Sequence, residues 1–322
     1  MRTVYQVHQS TKSTKSTVIE MNSADIPLAH KHRPTRFDRL SGQDRAVAIL
    51  AGFVRARAPI HVLLYGAYGA GKSTLAGLYA RALHCKRPDV DGSPCNSCSH
   101  CSDPRNFLEF DVPKEGDSPG YLLELINLRM QNCTDRPVIF LDEAHALHES
   151  DADALLKRFE AVPCSATYIL ATTAPWEISS ALRSRLHRVE VQVLSPWDSV
   201  RFLEEVAEAE GLDLDERALR LIAALSKGHP RDLLTNLDTV VDRRSGSHQQ
   251  ITDAQVRARL GLASDDFLLS YFRALVNEGA DAATAILHDW PASWSSKSRW
   301  VQAFLLLWSK RCATSTHMLI HW

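Results

Sequence analysis

Eight consecutive residues, Gly66, Ala67, Tyr68, Gly69, Ala70, Gly71, Lys72 and Ser73, read GAYGAGKS and fit the pattern G-x-x-x-x-G-K-[ST]. Glycines at these places let the backbone curl, so that successive N–H groups and the start of a following helix face negative charge. An ammonium at Lys72 suits the β- and γ-phosphates of a nucleotide, and a hydroxyl at Ser73 suits Mg²⁺; Thr74 carries the loop into the helix. A second stretch, VIFLDEAH (138–145), is an apolar run that delivers Asp142 and Glu143 at its carboxyl end. Ligands of open α/β sheets bind at that edge. Asp142 suits the shell of a divalent cation, and Glu143 is placed to polarise a water. An acidic pair alone is a weak signal; beside an intact phosphate loop it points to hydrolysis of a nucleoside triphosphate.

One helix further on stand four cysteines, Cys85, Cys95, Cys98 and Cys101, out of seven in the chain. Four thiols close a tetrahedral shell with no open position, the pattern of a structural rather than a catalytic Zn²⁺. His84 and His100 compete as ligands, but the close spacing of the last three cysteines favours an all-sulfur site. The intervening segment, with Pro88, Gly92 and Pro94, has little to fold around without a metal.

These side chains need elements to position them. Strand candidates are IHVLLY (60–65), FLEFDV (107–112), VIFLD (138–142), TYILATT (167–173) and VEVQVL (189–194). Residues 72–84 and 121–130 show helical spacing between them. Strands separated by helices imply an α/β fold, a P-loop parallel sheet covered on both faces. After residue 195 the strand signals stop. Residues 196–262 read as a small helical lid domain, with Gly211 and Gly228 at helix ends and Asp253 opening the last helix. Residues 263–322 read as a short helical region rich in tryptophan, from Trp290 to Trp322. The expected division is a flexible tail over 1–24, a nucleotide-binding domain over 25–195 carrying a zinc module at 85–101, the lid over 196–262, and the C-terminal region.

Composition narrows the function further. With 322 residues and 45% hydrophobic content the chain can bury more than one core. A net charge of -1, from 37 basic and 38 acidic side chains, gives no global attraction to nucleic acid, so any DNA contact would be local. The apolar run FLLLW (304–308) is far too short to span a bilayer, and the first residues lack the apolar stretch of a signal peptide. A cytoplasmic protein without a membrane span is expected.

With these pieces the chain resembles the AAA+ clamp-loader ATPases, in particular the gamma/tau subunits of bacterial DNA polymerase III. The zinc module directly after the phosphate-loop helix is the most specific likeness. KHRPTRFDRLSGQDRAV (31–47), DADALLKRFEAVP (151–163), YILATTAPWEISSALRSRL (168–186), GHPRDLLTNLD (228–238) and ITDAQVRARLGL (251–262) agree with it. The likeness covers roughly residues 26–262. It implies an AAA+ fold and ATP hydrolysis with Mg²⁺ in a ring-like assembly with other loader subunits, a sliding clamp and primer–template DNA. By that resemblance Arg33 and Pro34 line the adenine pocket and Thr172 or Thr173 senses the γ-phosphate. Arg185 is likewise implied as the finger that enters a neighbour's ATP, and Arg231 as a second sensor. The family's usual Ser-Arg-Cys is Ser184-Arg185-Leu186 here, and the roughly sixty residues after the lid are shorter than the family's collar. Two other readings are a non-hydrolysing stator of the same loader, which also carries zinc but has usually lost the loop lysine or its glycines, and another AAA+ DNA-processing ATPase.

Overall fold

The central strands are apolar runs whose side chains alternate between two covered faces, whereas the edge strand at residues 187–190 buries only Val189. β1 (Val62–Tyr65), β2 (Phe107–Asp111), β3 (Val138–Asp142), β4 (Thr167–Thr172) and β5 (His187–Glu190) form one sheet in the order β2-β3-β4-β1-β5, every pairing parallel. The structure, a computed structural model, describes residues 26–116, 118–161, 164–241, 250–263 and 265–289. The expected N-terminal tail and the tryptophans from Trp290 onward lie outside these residues.

Helices connect the strands. α1 (Leu28–Lys31) and α2 (Asp44–Arg55) precede β1, and α3 (Lys72–His84) follows it. α4 (Val112–Glu115) and α5 (Tyr121–Met130) lie between β2 and β3, α6 (Glu149–Glu160) between β3 and β4, and α7 (Ser180–Arg185) between β4 and β5. On one face of the sheet Val62, Leu64, Phe140 and Ile169 pack with Leu50 and Val54 of α2 and Leu75, Leu78 and Tyr79 of α3. On the other, Leu63, Ile139, Leu141 and Leu170 pack with Leu122 and Ile126 of α5, Leu155 of α6 and Leu182 of α7. Each such side chain contributes about 1.5–3 kcal/mol when fully buried. Register sets the functional edge: Tyr65 pairs with Thr172, and Asp111 with Asp142, so the carboxyl ends of these strands finish together.

The last strand differs from expectation. VEVQVL places it over 189–194, whereas β5 spans His187–Glu190. The amide of Val191 still donates to the Tyr65 carbonyl at 2.8 Å, but the partners then change. The Gln43 side chain takes both backbone groups of Gln192, donating to its carbonyl at 2.6 Å and accepting from its amide at 3.2 Å. The Leu194 amide donates to the Gly228 carbonyl at 2.8 Å. Gly228 can lie there because it lacks a side chain: a Cβ would stand 2.2 Å from the Leu194 carbonyl oxygen. The apolar alternation continues, but the neighbouring strand that would make it sheet does not.

Four helices follow, α8 (Pro196–Glu210), α9 (Glu216–Ser226), α10 (Pro230–Val240) and α11 (Asp253–Leu260), and then α12 (Asp265–Asn277) and α13 (Ala280–Asp289). The chain divides into two compact units, one comprising the residues up to Glu210 with Ala223–Thr235, the other Gly211–Ile222 with the residues from Asn236 onward. Inside the second unit a short parallel bridge pairs Leu214 with Ile251, and the Thr252 amide donates to Gln255 Oε1 at 3.0 Å to open α11.

His61, just before β1, fixes the sheet's lower edge. Its Nδ1 accepts the Tyr168 amide at 3.0 Å, and its ring stacks on Phe159 with centroids 4.6 Å apart. Burial first, and the Arg136 charge second, push its pKa from 6.5 down to about 4. The folded chain therefore resists a proton that the unfolded chain accepts below pH 6.5, and stability falls as pH drops from there towards 4. Discounted for partial exposure, the loss attributable to His61 is about 1–2 kcal/mol. Urea unfolding at pH 7.5 and pH 5.0 measures it: the drop in stability between the two is expected to be smaller by that amount in His61→Gln than in wild type.

Candidate nucleotide site and metal centre

The phosphate loop is held between β1 and α3 by its backbone. The Gly66 amide donates to the Thr172 carbonyl at 3.3 Å, joining the loop to the end of β4. A Cβ on Gly66 would stand 2.0 Å from the Val191 carbonyl oxygen, so no other residue fits this crossing without moving the backbone. The loop then turns into α3 at Lys72, a residue only 6% exposed, whose ammonium donates to the Gly66 and Ala67 carbonyls at 2.9 and 3.0 Å. Burial lowers the Lys72 pKa, against the opposing pull of Glu143 and Asp142. A desolvated cation with two neutral acceptors fits a phosphate better than anything now beside it.

The carboxyl end of β3 brings the acidic pair to the same place. Ser73 Oγ donates to Asp142 Oδ2 at 3.3 Å, which sets the two groups expected at a divalent cation side by side. Burial is the main cause of a raised Asp142 pKa; the Glu143 charge adds to it, while the Glu143 amide, Ser73 and Lys72 oppose it. A bound cation would reverse that balance. Glu143 sits at φ 49°, a left-handed conformation that costs a non-glycine residue about 1–2 kcal/mol, and Asp142 Oδ1 supports it by accepting the Glu143 amide at 3.0 Å. Thr173 Oγ1 donates to Glu143 Oε2 at 3.3 Å.

A cavity of about 400 Å³ opens over this group, enough for a nucleotide. Residues 68–74, Asp142 and Glu143 line one part; Arg33, Pro34, Leu40, Leu194, Phe202 and Leu234 line another, with the apolar surface that a base requires. Arg231 reaches the same cavity at the start of α10, and its Nη1 donates to the Tyr68 hydroxyl at 3.2 Å. Thr172 is fully buried with its hydroxyl accepting the Ala174 amide at 3.0 Å, whereas Thr173 faces Glu143. Arg185 stands apart from this cavity: on α7 it pairs with Glu160 Oε1, with Nε at 3.0 Å. Sequence reasoning missed the apolar wall of Leu40, Leu194, Phe202 and Leu234, which no local spacing marks, and His145, which lay within the quoted VIFLDEAH and is in contact with Glu143.

The four cysteines converge after α3. Their sulfurs all lie within 4.8 Å of one another, with Cys98 to Cys101 at 3.3 Å and Cys95 to Cys101 at 3.8 Å. Zn–S bonds of ~2.3 Å set the sulfurs of a tetrahedral site about 3.8 Å apart, so the cluster fits the ion. Hydrogen bonds from the Ser97 hydroxyl and amide bring the Cys95 thiol down to about 5 and those from the Cys101 and Lys86 amides lower Cys98, whereas burial pushes the Cys85 thiol up to about 12 and raises Cys101. Neither histidine joins: His84 Nε2 meets the Arg136 carbonyl at 2.8 Å, and His100 lies 3.6 Å from Asp135.

Known proteins agree with this geometry. Residues 62–196 match the ATPase family associated with various cellular activities (AAA). The chain is 28% identical over 269 residues to the DNA polymerase III subunit tau of Escherichia coli (strain K12), covering 81% of this chain and 41% of that protein. It is 33% identical over 218 residues to the DNA polymerase III subunit gamma of Buchnera aphidicola subsp. Schizaphis graminum (strain Sg), covering 66% of this chain and 60% of that one. The chain thus spans about two fifths of the first relative's length and three fifths of the second's. Among solved structures, the RuvB Holliday junction branch migration motor of Thermotoga maritima superposes with a TM-score of 0.55 at 20% identity, covering 80% of this chain and 85% of that one, a likeness of fold. With a phosphate loop, an acidic strand end and a five-stranded parallel sheet, residues 62–196 match the AAA family, and the chain is similar to the tau and gamma subunits of DNA polymerase III.

Proposed function

We propose that the chain is an ATP-hydrolysing motor subunit of a sliding-clamp loader of the DNA polymerase III type, working in DNA replication. The observation that carries this reading is the convergence of Lys72, Ser73, Asp142 and Glu143 on one cavity with an apolar wall for a base. A non-hydrolysing stator has no need of that complete set, which favours the motor. The relatives named as polymerase III subunits favour a loader over other AAA DNA-processing ATPases.

In this reading residues 25–195 bind nucleotide, with the adenine against Arg33 and Pro34 and the phosphates along Gly66, Ala67, Tyr68, Gly69, Ala70, Gly71 and Thr74. Lys72 leaves its two carbonyls to bind the β- and γ-phosphates. Ser73 and Asp142 would hold Mg²⁺, which when bound offsets charge on the phosphoryl oxygens. Glu143 accepts the proton of the attacking water. Thr173, already in contact with Glu143, is the better placed of the two threonines to sense the γ-phosphate. Arg231, from the lid assigned to 196–262, completes the pocket from the α10 side, and Arg185 serves a neighbouring subunit's ATP, consistent with its distance from its own cavity. The partners are other loader subunits in a ring, to whose collar residues 263–322 would give only a short, incomplete part, a sliding clamp, and primer–template DNA held through its backbone. Cys85, Cys95, Cys98 and Cys101 hold a structural Zn²⁺. A cytoplasmic location goes with this work; among the described residues no helix is long and apolar enough to cross a membrane.

ATP turnover by the chain with DNA and its partner subunits tests the motor. Glu143→Gln is expected to cut turnover by at least about 100-fold while ATP still binds, and Lys72→Ala to weaken binding itself. Absence of turnover in wild type as well as variant would discard the motor in favour of the stator. Metal analysis is expected to find one zinc per chain, lost in Cys98→Ser. Its removal by chelation should lower the Tm by roughly 5 °C or more, since a structural metal is worth several kcal/mol.

A further inference from the structure

The mechanism above leaves one polar side chain beside the acidic pair without a task. His145 lies in the short turn Ala144–Ala146 that follows β3, with its side chain 27% exposed. Its Nδ1 stands 3.1 Å from Thr172 Oγ1 and 3.3 Å from Glu143 Oε2. The same Oε2 accepts from Thr173 Oγ1 at 3.3 Å. Glu143 Oε1 has no partner among the described residues.

A carboxylate oxygen can only accept, so the approach of Nδ1 to Oε2 is attractive only when Nδ1 carries the proton. The hydrogen bond of Nδ1 is with Thr172 Oγ1; with the proton on Nδ1, Glu143 Oε2 at 3.3 Å lies beside that N–H as an electrostatic contact. Thr172 is itself immobile: it is fully buried at the end of β4, and its oxygen also accepts the Ala174 amide at 3.0 Å. His145 therefore stands between a buried point of the sheet and a carboxylate whose own backbone is strained at φ 49° and whose one side-chain hydrogen bond among the described residues is from Thr173.

We propose that His145 is a positioning residue for the hydrolytic step: with Thr173 it pins Glu143 Oε2, so that Oε1 is the oxygen left for the attacking water. This rests on the motor reading and deepens it. Holding a general base in one orientation contributes to turnover and leaves ground-state nucleotide affinity unchanged, which separates it from a packing role.

The test uses the full chain with its DNA and partner subunits. His145→Phe, which keeps a ring and removes the donor, is expected to lower kcat by about 10- to 100-fold with the Kd for ATP unchanged within about twofold. His145→Asn, whose amide N–H falls near the Nδ1 position, is expected to recover most of that loss, and it serves as the informative variant should His145→Phe fail to fold. In a Glu143→Gln background His145→Phe is expected to cost less than about twofold more. Nitrogen chemical shifts of the histidine-labelled wild-type chain, without nucleotide, are expected to show the Nδ1–H tautomer. An undiminished kcat in His145→Phe, an equal defect in His145→Asn, or an Nε2–H tautomer would each overturn the proposal. Wild type that hydrolyses no ATP would instead strike the motor reading, and the tautomer would still judge the contact.

Discussion

An ammonium taken out of water is the constraint around which this molecule is arranged. Lys72 is almost wholly buried at the first turn of α3, and burial lowers its pKa. Two loop carbonyls and two nearby carboxylates keep the charged form tolerable, but each has its own demands. The carbonyls are those of Gly66 and Ala67, so the loop must curl back over the lysine, and Gly66 must pass the Val191 carbonyl without a side chain. The carboxylates arrive only because β3 ends level with its neighbours in the sheet. Lysine, loop and acidic pair thus form one electrostatic unit, and a triphosphate with its cation would replace the internal partners by better ones.

The handover at the end of β5 builds the rest of the cavity. Once Gln43 takes both backbone groups of Gln192, the chain leaves the sheet and delivers Leu194 to the apolar wall of the cavity. The bond from Leu194 to Gly228 then places the turn before α10, and with it Arg231, at the phosphate loop, where the Tyr68 hydroxyl meets the guanidinium. One irregular segment therefore supplies both the apolar and the cationic walls.

The cysteine cluster stands one helix from the phosphate loop because it shapes that neighbourhood from behind. The segment between Cys85 and Cys95 returns to the stretch before α2: Ser93 Oγ accepts the Phe37 amide at 2.9 Å, and Arg36 pairs with Asp89 and Asp91. That stretch continues directly from Arg33 and Pro34 in the cavity wall. Val90 of the segment is exposed and Pro94 is buried, so the polar ties to Arg36 and Phe37 and the clustered sulfurs carry much of what holds its shape.

Local chemistry was fully legible in the amino-acid sequence. The loop from Gly66 to Ser73, the pair Asp142 and Glu143, and the four cysteines are each contiguous or nearly so, and the structure brings each group together as the spacing suggests. The helices Lys72–His84 and Tyr121–Met130 and the strand Val138–Asp142 were equally readable, because periodic burial leaves its mark on composition. What only the tertiary structure decided are relations between distant segments. The end of β5 depends on a glutamine about 150 positions earlier, the apolar wall of the cavity collects Leu40, Leu194, Phe202 and Leu234, and Thr173, just past the end of β4, rather than the buried Thr172, donates to Glu143. Such choices are made by register and packing across the sheet, and a linear pattern carries no record of them.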